Sequence, residues 1–174
     1  DRDGTINVER HYLSDPDQIE LFPNTVPGLK LLNELGFSLA VVTNQSAVGR
    51  GYFDIAQLDK IHHRLNHLLA DEGVAVDAVY YCPHIPEDGC KCRKPETGMA
   101  LDASKDLGIG LTDSFVIGDN VCDINLGKNI GAVSILVKTG YGNRVLDEKT
   151  AEPDYIVEDL LEAAELIKRL SREN

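Results

Sequence analysis

Apolar positions along the chain alternate between two spacings. Val26 to Leu35 carries apolar residues at helical intervals and stops at Gly36, and Ser38 to Thr43 (SLAVVT) follows as a short apolar run of the length of a buried strand. A polar, glycine-containing loop, NQSAVGRGYF, comes next. Between Asp54 and Glu72 the residues Ile55, Leu58, Ile61, Leu65, Leu68 and Leu69 recur at steps of three and four, which predicts one apolar helix face with Asp54 as its N-cap. Strands are predicted at Asp77 to Tyr81, Ser114 to Ile117, Ala132 to Val137 and Tyr155 to Val157. Helices are predicted from Gly98 to Leu107, Val121 to Ile130 and Glu158 to Leu170. Strands and helices that alternate over short connections imply parallel strands joined by crossovers. The fold class is therefore α/β, a Rossmann-like doubly wound parallel sheet with helices on both faces. In such sheets ligands bind beyond the carboxyl ends of the strands, so the loops after strands are where chemistry is expected.

Composition narrows the class of partner. At 174 residues the chain is long enough for one domain, 1–174, and no repeat or low-complexity segment divides it. A formal charge of −12 disfavours nucleic acid and anionic membrane as partners, because the long-range field repels both. No apolar run approaches the length needed to span a bilayer and no leader is evident, so a cytoplasmic monomer is expected. The chain opens on Asp1 rather than Met, from which we expect sequence upstream of the numbering.

Four polar loops share the predicted sheet edge: Asp1-Arg2-Asp3-Gly4-Thr5, Thr43-Asn44-Gln45-Ser46, the segment around Arg93-Lys94, and Gly118-Asp119-Asn120-Val121-Cys122-Asp123. Asp1 and Asp3 stand two apart in a turn that Gly4 permits, so one carboxylate can attack while the other handles a proton; a solvated acidic turn fits the same residues. A calcium loop does not, since its fifth position is Thr5 and its twelfth Tyr12. Thr43 at a strand end and Lys94 suit a phosphoryl group, and Arg93 offers a planar fork for a second anion, although each residue type is also common on surfaces. Asp119, with Asp123 one helical turn later, suits Mg2+, which takes one or two carboxylates and keeps its waters; Asp119 is equally placed to cap a helix.

The segment CPHIPEDGCKC brings Cys82, His84, Cys90 and Cys92 together. Cys90 and Cys92 are too close in sequence to pair without strain, and three thiolates with one imidazole form a closed tetrahedral zinc site with no open position for water. Buried free thiols or a redox pair are the alternatives. The site is expected to fix the loop that presents Arg93 and Lys94. His63 and His67 lack a third ligand and are read as a solvated helix face, and Cys122 as a small buried residue at a helix start.

The order DxDGT, strand-terminal Thr, Lys and GDxxxD resembles the four-motif signature of the haloacid dehalogenase (HAD) superfamily of phosphohydrolases over essentially the whole chain. DRDGTIN, VVTNQSAVGRGYF, CPHIPEDGCKCRKP and KTGYG are similar to the family that includes the heptose 1,7-bisphosphate 7-phosphatases and the histidinol-phosphate phosphatases. That resemblance implies a capless core with an apolar strand ahead of Asp1. It implies Asp1 as a nucleophile forming an aspartyl-phosphate, and Asp3 as general acid and then base. Mg2+ would be held by the Asp1 carboxylate, the Asp3 main-chain carbonyl and Asp119. Thr43, Asn44 and Lys94 would bind the transferring group, and Arg93, Gln45 and Arg50 the rest of the substrate. The implied substrate is a small phosphorylated metabolite, a heptose-type sugar bisphosphate, with histidinol phosphate as the alternative because His84 and Cys90 are separated by a short connection. Asn120 departs from the basic residue that often follows the fourth-motif Asp in relatives. A nucleic-acid 3′-phosphatase would need a basic track, and a non-catalytic zinc module would need no set of Asp1, Asp3 and Asp119.

Overall fold

The structure, a computed structural model, describes residues 1–172. Its helices are α1 (Thr25–Glu34), α2 (Ser46–Gly49), α3 (Ile55–Asp71), α4 (Gly98–Leu107), α5 (Val121–Ile130), α6 (Gly142–Glu148) and α7 (Leu160–Leu170). Its strands are β1 (Ala40–Asn44), β2 (Ala78–Cys82), β3 (Phe115–Gly118), β4 (Val133–Val137) and β5 (Tyr155–Val157). Every strand pairing is parallel: β1 with β2, and β3 with β4 with β5. All carboxyl ends therefore lie at one edge, as the alternation of the sequence predicts.

Side-chain alternation along β4 explains why helices cover both faces. Ile135 and Val137 pack with Ala163, Ala164 and Ile167 of α7 and with Leu32 of α1, whereas Leu136 packs with Ile124 of α5 and Val145 of α6. Asp54 caps α3, accepting from the Gln57 N–H at 2.9 Å, and Leu58, Ile61, Leu65 and Leu69 are buried beneath it. Ile55, predicted on that face, is 47% exposed, because the first helical residue projects beyond the core edge. His63 and His67 are exposed and stack at 6.4 Å, as a solvated face would. The segment read as a loop after β1 contains the single-turn α2, and α6 was not predicted.

The sheet is in two pieces. Between β1 and β3 lies a groove of about 400 Å³, lined by Ile6, Leu29, Leu39, Val41, Phe115 and Ile117 among others. The Asp1 amino group donates to the Ile117 carbonyl at 2.8 Å, a first rung alongside β3. Among the described residues no helix is long and apolar enough to cross a membrane.

Candidate active site

The DRDGT turn closes on itself at the carboxyl edge. The Ile6 and Asn7 N–H groups both donate to the Arg2 carbonyl, at 2.8 and 3.1 Å, and Gly4 takes φ +84° to make the reversal. Gly4 is also required for space: a Cβ there would lie 2.1 Å from Asp119 Oδ2, and a Cβ on Gly140 would lie 2.1 Å from the same oxygen. Two glycine backbones thus close around Asp119, and the Thr139 hydroxyl ties them by donating to the Gly4 carbonyl at 2.6 Å. The Tyr141 N–H donates to Asp119 Oδ2 at 2.7 Å. KTGYG therefore belongs to the site through its backbone, which residue types alone do not reveal.

Lys94 is buried at the centre. Its Nζ donates to Asp1 Oδ1 at 2.7 Å, Asp123 Oδ1 at 2.7 Å and the Val42 carbonyl at 2.8 Å, which uses all three ammonium protons. Asp123 is thus an anchor for Lys94, and its Oδ2 accepts the Asn120 N–H at the start of α5. Asn120 and Asp123, not Asp119, occupy the cap of that helix; Asp119 lies one residue ahead of it, buried beside Asp1 and Asp123.

Asp1, Asp119 and Asp123 each bring a carboxylate oxygen within 4.8 Å of the others. Three carboxylates against the one ammonium of Lys94 leave two negative charges in a nearly dry site. The Asp119 carboxyl is pushed up to about 7 by burial, with the Asp123 charge adding to the effect and the Tyr141 hydrogen bond opposing it. A divalent cation fits this donor set: hard oxygen ligands, more carboxylates than cations, and a buried Asp119 whose ionised form a cation would favour.

The Asp3 carboxylate turns away from that cluster. Burial alone would raise its pKa, but the Arg2 guanidinium and hydrogen bonds from Arg2, Asn7 and Gln45 together hold it below the usual carboxylate range. It borders a cleft of about 200 Å³ lined also by Glu9, His11, Tyr12, Ser46 and Tyr141. Ser46 lies in a loop, and Tyr141 in a motif, that the sequence singles out, whereas Glu9, His11 and Tyr12 are not expected there. Glu9, His11 and Tyr12 follow the first motif; Tyr12 meets Tyr52 edge to face at 4.8 Å, and His11 Nδ1 lies 3.5 Å from the Tyr141 hydroxyl.

The other predicted residues separate. Thr43 is buried at the end of β1, and its hydroxyl accepts from Gln45 Nε2 at 2.9 Å. Gln45 also donates to Asp3 Oδ2 at 2.8 Å; it is 5% exposed and lines the cleft beside Asp3 with its amide held by Thr43 and Asp3. Asn44 pairs with the Lys94 backbone, accepting its N–H at 2.9 Å and donating to its carbonyl at 3.2 Å, which pins the lysine segment to β1. Arg93 donates to the His84 carbonyl at 3.2 Å. Arg50 is exposed at the end of α2, and no hydrogen bond links its side chain to the other site residues described.

Cys82, His84, Cys90 and Cys92 converge as the spacing predicts. Their sulfur and Nδ1 atoms lie 3.2–3.5 Å apart wherever they touch. A zinc tetrahedron with these ligands has edges of about 3.5–3.8 Å, so the four donors sit at slightly contracted corners of one. Cys122 is half-buried on the first turn of α5, 4.0 Å from Asn44 Nδ2.

Residues 91–163 match the HAD-hydrolase-like family model. The chain is 38% identical to the D-glycero-beta-D-manno-heptose-1,7-bisphosphate 7-phosphatase of Pseudomonas aeruginosa, covering 94% of this chain and 93% of that protein. It is 39% identical to the D-glycero-D-manno-heptose-1,7-bisphosphate 7-phosphatase of Thermosynechococcus vestitus, covering 96% and 92%. Among solved structures, the D,D-heptose 1,7-bisphosphate phosphatase of B. bronchiseptica, complexed with magnesium and phosphate, superposes with a TM-score of 0.89 at 34% identity, covering 99% and 96%. With motifs, fold and full-length similarity in agreement, the chain belongs to the haloacid dehalogenase superfamily of phosphohydrolases, in the family of the heptose 1,7-bisphosphate 7-phosphatases.

Proposed function

We propose that the protein is a Mg2+-dependent phosphatase that removes the 7-phosphate of D-glycero-D-manno-heptose 1,7-bisphosphate through an aspartyl-phosphate on Asp1. The observation that carries this reading is the Lys94 ammonium shared between Asp1 and Asp123 beside Asp119, at the carboxyl edge of the sheet. The names of full-length relatives support the substrate. Mg2+ would be held by Asp1, Asp119 and the Asp3 carbonyl, and when bound it offsets repulsion between nucleophile and phosphate.

In the first half of the reaction an Asp1 carboxylate oxygen bonds to phosphorus as the bond to the sugar oxygen breaks, and Asp3 gives that oxygen a proton. The incoming phosphate places negative charge near Asp3 and opposes Arg2, which raises the carboxyl's affinity for the proton it must deliver. In the second half Asp3 takes a proton from water, the water oxygen bonds to phosphorus, and Asp1 is released with inorganic phosphate. Lys94 holds Asp1 in its attacking orientation, while the Thr43 hydroxyl and nearby backbone N–H groups bind the phosphoryl oxygens. Arg93 takes the distal anion. The cysteine and histidine cluster holds structural zinc, which keeps Arg93 and Lys94 in place. The thiols fit a reducing compartment, and the reading is of a cytoplasmic monomer.

A side-by-side comparison of kcat/KM for heptose bisphosphate anomers and histidinol phosphate tests the substrate. A clear preference for the bisphosphate is expected, and a preference for histidinol phosphate would overturn it.

A further inference from the structure

Arg2, the residue between the two motif aspartates, is 1% exposed and more deeply buried than Lys94. A buried guanidinium needs a specific partner, and the one carboxylate that forms a salt bridge with it among the described residues is Asp3. The fork grips both oxygens: Nε lies 3.1 Å from Asp3 Oδ1 and 3.1 Å from Oδ2, and Nη2 lies 2.6 Å from Oδ2. Asn7 Nδ2 adds a bond to Oδ1 at 2.9 Å and Gln45 Nε2 one to Oδ2 at 2.8 Å. Neighbouring residues on an extended segment point to opposite sides, whereas here the chain turns directly after Asp3, with the Ile6 and Asn7 N–H groups returning to the Arg2 carbonyl, and the two side chains meet. Its Nη1 and the Nε2 of His62 on α3 are both buried without a protein partner, and the Arg2 charge helps keep His62 neutral. Arg2 therefore has no second anion to share its grip.

We propose that Arg2 is a positioning residue for the acid–base chemistry of Asp3: its fork fixes the plane of the Asp3 carboxylate so that it faces the cleft where the leaving oxygen departs. This rests on the reading of Asp3 as the acid. A pair kept for stability alone has little reason to be ionic, since apolar replacements of buried ion pairs are often neutral or stabilising. A guanidinium, unlike an ammonium, sets orientation as well as charge.

The test compares kcat/KM for heptose bisphosphate, whose alkoxide must be protonated to leave, with that for p-nitrophenyl phosphate, whose phenolate needs no proton. This ratio reports only the steps through leaving-group departure, so later water activation does not obscure it. Asp3→Asn is expected to lose at least about 100-fold on the sugar phosphate and far less on the aryl ester. Arg2→Met and Arg2→Lys are expected to show the same asymmetry at roughly 10-fold or more on the sugar phosphate. Equal losses on both substrates, or none, in the Arg2 variants would overturn the proposal while leaving Asp3 as the acid. Equal losses in Asp3→Asn would instead overturn the acid assignment itself. Should Arg2→Met fail to fold, Arg2→Lys decides, because it keeps charge and stem but not the fork; wild-type asymmetry in that variant contradicts the proposal.

Discussion

Lys94 is where the charges of the site balance. Read as a point charge for the substrate, it is found bonded to Asp1, Asp123 and a β1 carbonyl. Its removal leaves Asp123 buried and unpaired, which typically costs about 3–5 kcal/mol. Lys94→Met is therefore expected to lower Tm markedly and to abolish phosphate release, as thermal unfolding and a phosphate assay would show. His62 gives a separate pH signature. Burial, aided by the Arg2 charge, lowers its pKa to about 4 from an ordinary 6.5. The unfolded chain then binds more protons at mildly acidic pH, so this contribution to stability is full above pH 6.5 and is lost as pH falls towards 4. Between pH 7 and 5 it amounts to about 2 kcal/mol. Urea unfolding at the two pH values is expected to show that loss in the wild type and a smaller one in His62→Gln. The aspartates, Lys94 and the cysteine–histidine cluster were legible in the sequence because each needs a particular residue type at a particular spacing. Arg2, Asn7 and Glu9 were not, since their roles arise from a turn whose closure brings them to Asp3.

At the scale of elements, the strands were legible from short apolar runs, although they begin up to two residues later than the runs do. Helix α6 was not, because its seven residues have too few apolar positions to display a period. Gly140 precedes it with φ +53°, and a side chain there would strike Asp119 Oδ2. Gly140→Ala is expected to weaken magnesium activation at least about 10-fold, through displacement of Asp119 rather than loss of a ligand. Unchanged magnesium dependence would contradict that role. The loop of residues 82–94 gathers four donor side chains at one point and is joined to β1 by the Asn44 side chain on the Lys94 backbone. Cys90→Ser is expected to lose zinc, lower Tm and raise KM while sparing kcat at saturating substrate. Retained Tm and KM in a zinc-free variant would show that the loop needs no metal to hold its cations.

For the whole molecule, the parallel sheet follows from strand–helix alternation, because each crossover helix returns the chain to the same end of the sheet. The charge of −12 keeps extended polyanions away, so a small phosphate ester must be captured by the local field of Lys94, Arg93 and a metal. The central claim is that this field serves covalent phosphoryl transfer at Asp1. Its most direct test is magnesium-dependent phosphate release from heptose 1,7-bisphosphate by the wild type and Asp1→Asn. Release that requires magnesium and disappears in the variant is expected; release that persists in Asp1→Asn would contradict the account.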